Sequence, residues 1–237
     1  MRWWLVESWW KRLQHHRIDP MKIEGRISPK TLLRNFKSEK IQIFKLSTPQ
    51  VSDALNEISG YNGAIHSLKP LNKMKVFGPI VTAKTKDHDW GTSVKAIDHA
   101  SESEVIFIMT EGDDNAVWGE LTSKTAQKKK IAGTIIYGAC RDLDAISRLD
   151  FPVFSKKVVP NAGKPLAMGE VNIELECEGV KIRPRDYVFG DESGVVIIPR
   201  ELFNMVIERA LKIKMKESDI EERIEDGVPL SRILGLK

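Results

Sequence analysis

Glu104-Val105-Ile106-Phe107-Ile108-Met109 and Gly133-Thr134-Ile135-Ile136-Tyr137-Gly138, with Glu120 to Lys130 between them, decide the fold. Each apolar run is short and unbroken, as expected for a strand covered on both faces of a sheet. The segment between them, opening just after Gly119, reads as a helix. Strand, helix, strand is a β–α–β unit, and it places the chain in the α/β class. The unit ends at Arg141-Asp142.

The elements around it follow from local patterns. Ser47-Thr48-Pro49-Gln50 opens a capped helix that carries Val51, Ala54, Leu55 and Ile58 on one face and stops at Gly60. An earlier helix start is expected at Ser28-Pro29-Lys30-Thr31-Leu32-Leu33. Gly78 to Thr85 reads as a strand and Thr92 to His99 as a helix. Val171, Ile173, Leu175 and Cys177 alternate with polar residues, which predicts one strand with a wet face. Tyr187-Val188-Phe189 and Val195-Val196-Ile197-Ile198 flank Gly190-Asp191-Glu192-Ser193-Gly194 as a hairpin, closed by Pro199. The apolar residues of the last helix, Glu201 to Asp226, drift around its axis. A partly exposed helix docked on a neighbour is expected there.

The chain has 237 residues, 41% hydrophobic and 30% charged, which suits a soluble globular protein. No apolar run reaches the eighteen residues of a membrane span. Two cysteines, Cys140 and Cys177, make no disulfide framework and point to a reducing, cytoplasmic setting. Residues 1–40 hold ten basic and four acidic side chains, a net of +6, so the rest carries −2 of the total +4. The basic balance therefore belongs to the N-terminal stretch, and the body is not read as a nucleic-acid-binding surface. Residues 1–27 are expected to form an extension and residues 28–237 the functional domain. Trp3, Trp4, Trp9 and Trp10 lie in that extension among cationic residues. Such a mixture fits a loosely docked or disordered segment in preference to the alternative, a membrane-surface helix. Met21 is a further candidate start.

Gly119-Glu120-Leu121-Thr122 and Arg141-Asp142 carry the chemistry. A helix starting near Glu120 offers unpaired amides and a positive dipole end to a carboxylate or phosphate. Gly119 lets backbone approach a ligand with no Cβ in the way. Arg141 can hold a carboxylate or keto oxygen in a two-pronged grip. Asp142 is a hard oxygen donor suited to Mg²⁺ or Mn²⁺, and Glu120 could orient a metal-bound water or accept a proton. A surface loop or a structural ion pair is the competing account of the same Arg-Asp pair. Glu111, Asp113 and Asp114 read as outer carboxylates or as a solvated loop, and His88 as a metal ligand or, in preference, an exposed turn. Cys140 is either activated by Arg141 or a small buried residue. Asn161-Ala162-Gly163-Lys164-Pro165 lacks the first glycine and the Ser/Thr of a phosphate loop. No dinucleotide fingerprint is present.

Val117-Trp118-Gly119-Glu120-Leu121-Thr122, Ala126, Ala132-Gly133 and Gly138-Ala139-Cys140-Arg141-Asp142 resemble the RraA-like family. That family includes class II 4-hydroxy-4-methyl-2-oxoglutarate aldolases and regulators of ribonuclease E activity. Its hallmark is an acidic residue, twenty residues, then Arg-Asp, and twenty residues separate Glu120 from Arg141 here. The likeness extends to Val51-Ser52-Asp53-Ala54-Leu55, to Gly78-Pro79-Ile80-Val81-Thr82 and to residues 190–199. The resemblance implies a three-layer β/β/α fold of the swivelling type and a homotrimer or homohexamer with sites between subunits. It assigns Asp142 to a divalent cation, Arg141 to substrate oxygens, and the backbone of Gly119, Glu120, Leu121 and Thr122 to a pyruvyl carboxylate. Glu120 stands where many relatives have aspartate. The implied activity is retro-aldol cleavage of a 2-keto acid to pyruvate, with oxaloacetate decarboxylation through the same enolate. A regulator of an RNA-processing partner is the alternative. A step on a sugar phosphate is a third, since similar domains occur fused to hexulose-phosphate synthase.

Overall fold

Alternation along the buried strands sorts side chains into two cores, and those cores set the layers. In the computed structural model, which describes residues 43–236, Val105 and Phe107 point to one side of their strand and Ile106 and Ile108 to the other. Both sides are dry because both faces of the sheet are covered. The expected helix start at Ser28 and the tryptophan-rich segment lie outside the described residues. Residues from Leu46 onward pack as one unit, which holds every element named below.

The central sheet is built on β3 (Val76–Lys86), β4 (Val105–Glu111), β6 (Gly133–Cys140) and β7 (Val153–Val158), paired in parallel in that order. The antiparallel pair β11 (Tyr187–Asp191) and β12 (Gly194–Ile198) joins the free edge of β3. Short strands β1 (Ala64–Ile65) and β2 (Lys69–Pro70) finish the two ends. Helices α2 (Gly91–His99), α3 (Glu120–Lys128) and α4 (Leu143–Ser147) lie on one face. Ala96, Ile97, Ala126 and Ile146 pack there against Ala83, Ile106, Ile108 and Ile136. A separate hairpin covers the other face: β9 (Leu175–Cys177) with β10 (Val180–Ile182). Its Leu175, Val180 and Ile182 meet Ile80, Phe107 and Ile135. Helix layer, parallel sheet and β-layer make the three-layer β/β/α architecture.

Helix α1 (Thr48–Ser59) opens on Ser47, whose hydroxyl accepts from the Gln50 amide, while the Gln50 side chain accepts from the Ser47 amide at 3.0 Å. Each partner satisfies an amide the helix leaves unpaired. Gly60 ends the helix at φ 71°, a left-handed conformation that glycine adopts without strain. Asp191 of the β11–β12 turn accepts from the Thr48 amide at 2.8 Å and tethers the helix start to the sheet. Helix α5 (Phe203–Glu225) buries Val206, Ile207 and Ala210, while Ile224 is 45% exposed. The partial exposure of this helix is as expected.

Two expectations need correction. The segment from Val171 to Cys177 is not one strand. Asn172 takes a left-handed φ of 61°, which breaks the pleat. β8 (Glu170–Val171) therefore pairs with β3, while β9 turns away to its own hairpin. The period of two on either side comes from two different sheets. The loop of the β11–β12 hairpin is also shorter than read, because pairing runs on to Asp191 and Gly194.

Candidate active site

The twenty-residue gap closes through a strand that the periodicity missed. β5 (Ala116–Trp118) is three residues long and pairs in parallel with the end of β6, Trp118 opposite Cys140. The chain leaves β5 into α3 and leaves β6 into α4 at the same level of the sheet. The Arg141 amide donates to the Trp118 carbonyl at 3.0 Å, so Gly119-Glu120 and Arg141-Asp142 are neighbours. Loops beyond the carboxyl ends of parallel strands are where α/β proteins assemble their sites.

Asp142 organises the junction. Its backbone is left-handed, φ 62° and ψ 39°, a conformation aspartate tolerates better than most residues. Its Oδ2 accepts from the Glu120 amide at 3.0 Å, and Arg141 Nε lies 3.7 Å from the same oxygen. The carboxylate thus sits on the positive end of α3, beside a guanidinium. A Cβ on residue 119 would fall 2.6 Å from Asp142 Oδ2 and 3.2 Å from Arg141 Cγ, so a larger residue would force the Asp142 carboxylate to shift. The Arg141 and Asp142 side chains are 44% and 39% exposed. The amides of Leu121 and Thr122 have no hydrogen-bond partner among the described residues. Glu120 places its backbone on Asp142 and its carboxylate in an ion pair with Lys124, one turn along the helix.

The other expected residues fall apart from this junction. Glu111 pairs with Lys84 at 3.0 Å, and Asp113 with Lys157 at 3.1 Å, as surface ion pairs. The His88 side chain is 55% exposed, in a turn. Burial pushes the Cys140 thiol up to about 12, so the adjacent Arg141 does not activate it. The residue overlooked in that turn is Asp89, 2% exposed. It accepts from the hydroxyls of Thr85 and Thr92 and from the amides of Gly91, Ala167 and Met168. Burial would raise its pKa, but the bonds from the Met168 and Ala167 amides and the Thr92 and Thr85 hydroxyls outweigh it and hold the carboxyl far below the ordinary range. A buried carboxylate with that many partners is spent on structure. Asp142, with one amide and open lone pairs, is not.

No three His, Cys, Asp or Glu side chains among the described residues form a metal-binding group. The donor set is a single half-exposed carboxylate. That suits Mg²⁺ or Mn²⁺, which keep waters and take further oxygens from substrate. Two surface clefts of about 390 and 470 Å³ lie elsewhere, against α1 and α5 and beside the β9–β10 hairpin. The Arg141 and Asp142 side chains, 44% and 39% exposed, face solvent on the single chain. No helix among the described residues is long and apolar enough to cross a membrane.

Comparison with known proteins bears on the family and the fold. The profile of a family described as RraA-like, Aldolase/RraA, matches residues 48–197. An uncharacterized protein of Methanocaldococcus jannaschii is 40% identical over 215 residues, covering 88% of this chain and all of that one. A protein of Halalkalibacterium halodurans provisionally named 4-hydroxy-4-methyl-2-oxoglutarate aldolase is 34% identical, over 79% of this chain and 89% of its own. Among solved structures, an uncharacterized Pseudomonas syringae protein superposes with a TM-score of 0.74 at 27% identity, over 83% of this chain and 96% of that one. The RNA-processing inhibitor RraA from Thermus thermophilis has a TM-score of 0.57 at 20% identity, over 62% of this chain and 92% of its own, a likeness of fold.

Proposed function

The chain belongs to the RraA-like family, and on that premise we propose that it is a divalent-metal-dependent lyase that cleaves 4-hydroxy-4-methyl-2-oxoglutarate-type 2-keto acids to pyruvate. The observation that carries the reading is the half-exposed Asp142 carboxylate, held by one helix amide beside Arg141 and above two unspent amides. Asp142 would hold the cation. When bound, that cation supplies Lewis acidity to the substrate's carboxylate and keto oxygens. The Leu121 and Thr122 amides receive the substrate carboxylate at the positive end of α3. Arg141 grips the keto oxygen. Glu120, on the same first turn, orients the water that accepts the proton of the 4-hydroxyl. Breaking the C3–C4 bond then leaves the electron pair on pyruvate enolate, and the guanidinium faces the growing negative charge. Oxaloacetate decarboxylation ends in the same enolate, so the same residues serve both reactions.

Leu121, 76% exposed, and Leu143, 43% exposed, flank this open junction. We place that apolar rim against a neighbouring copy in a trimer or hexamer, which would close the site and exclude water. The experiment is pyruvate release from 4-hydroxy-4-methyl-2-oxoglutarate and from oxaloacetate, with Mg²⁺ or Mn²⁺ and with EDTA. Turnover should require the metal, and Arg141→Ala should lose about 100-fold or more. Equal rates for wild type and Arg141→Ala would refute the assignment. Absence of turnover with every 2-keto acid would leave the regulatory alternative standing.

A further inference from the structure

A helix N-terminus is ordinarily capped by the side chain of Ser, Thr, Asp or Asn, which takes the amide of the second or third helical residue. In α3 those amides belong to Leu121 and Thr122. A side chain at the cap would compete with any carboxylate for them. Gly119 occupies the cap, and a Cβ there would displace the Asp142 carboxylate. The cap therefore has no side chain with which to hold itself.

It is held from behind instead. The Ser123 hydroxyl, fully buried, donates to the Gly119 carbonyl at 2.8 Å. The Trp118 indole Nε1, on a residue 2% exposed, donates to that hydroxyl at 2.8 Å. The indole N–H can only donate, so the hydroxyl accepts there and turns its own proton to the Gly119 carbonyl. Thr122 completes the clamp on the outer side: its hydroxyl accepts from the Gly119 amide at 3.0 Å and donates to the Gly119 carbonyl at 2.9 Å. The cap residue is fixed through its own backbone, and the amides of Leu121 and Thr122 stay vacant.

We infer that Trp118 and Ser123 are positioning residues, a buried relay that orients the Gly119 cap so that the Leu121 and Thr122 amides bind the substrate carboxylate. The inference rests on the lyase reading above and adds residues that touch no substrate. A group that acts on the carboxylate alone binds ground state and transition state alike, so its loss raises KM and leaves kcat unchanged. A residue needed only for folding would instead lower the fraction of active protein, reducing kcat at constant KM.

The test compares wild type, Ser123→Ala, Ser123→Thr and Trp118→Phe, with thermal melts to confirm folding. The indole N–H signals are followed by ¹H–¹⁵N spectroscopy, where Trp118→Phe identifies its own signal. Ser123→Ala should move that signal. It should also raise KM and the dissociation constant of oxalate, measured in Mg²⁺ by calorimetry, by about five- to tenfold, the worth of one neutral hydrogen bond. Trp118→Phe should do the same to a smaller degree, and Ser123→Thr should restore binding. Unchanged oxalate affinity in both Ser123→Ala and Trp118→Phe, or a fall in kcat at constant KM, overturns the relay. If wild type releases no pyruvate, the lyase reading fails separately, and the oxalate affinities still decide the relay.

Discussion

Asp142 and Asp89 are the same amino acid, and both meet the amides of a nearby helix. Their surroundings give them different work. Asp142 keeps lone pairs open beside Arg141, so Asp142→Asn should retain the hydrogen bond from the Glu120 amide and the left-handed backbone while removing the charge. Lyase activity should fall by at least about 100-fold with a thermal midpoint close to wild type. Pyruvate assays and melting curves check both halves, and an active Asp142→Asn would show that no cation depends on this carboxylate. Cys140 gives a second outcome at this scale. With its thiol pushed up to about 12, almost no thiolate exists at pH 8. A disulfide reagent should leave it unmodified in the native protein and react only after unfolding. The acidic, basic and glycine identities at residues 119–142 were legible as a set. The bond from the Glu120 backbone to Asp142 was not, because it depends on a left-handed residue that no spacing announces.

At the scale of elements, α2 and α3 solve the same problem with opposite consequences. α2 has its first amide satisfied by the buried Asp89, which also ties the segment at Ala167 and Met168 to the helix. Asp89→Asn should cost at least about 2 kcal/mol at pH 7, measured by urea unfolding, since hydrogen bonds to a charged group are lost. The folded pKa of Asp89 is depressed, so its contribution is complete above the unfolded carboxyl value near about 3.9 and is lost as pH falls through the folded value. The difference between wild type and Asp89→Asn should shrink by about 1 kcal/mol from pH 7 to pH 3. A difference independent of pH would mean that the carboxylate is not ionised in the fold. α1 was legible in full, from its Ser47 cap to Gly60, because capping and amphipathic spacing are local. The three-residue β5 was not, because so short a strand exists only through its pairing with β6.

At the scale of the whole molecule, we place a neighbouring copy over the exposed junction. Leu121→Glu adds an acidic residue to the first turn of α3, which favours the helix while spoiling an apolar contact. Light scattering should show wild type as a trimer or hexamer and Leu121→Glu as smaller species, with turnover falling in parallel. A wild-type monomer with full activity would remove the neighbour from the site. The amino-acid order by itself determined the β–α–β core, the helix capped by Ser47 and the two dipeptides of the proposed site. Hydrophobic runs, caps and glycine stops act over a few residues and need no distant partner. Only the tertiary structure decided that Val171 to Cys177 divides between two sheets, that Asp89 is spent while Asp142 is free, and that Trp118 and Ser123 stand behind the Gly119 cap. Those outcomes depend on which segments, far apart in the chain, are brought within hydrogen-bonding distance, and packing sets that distance.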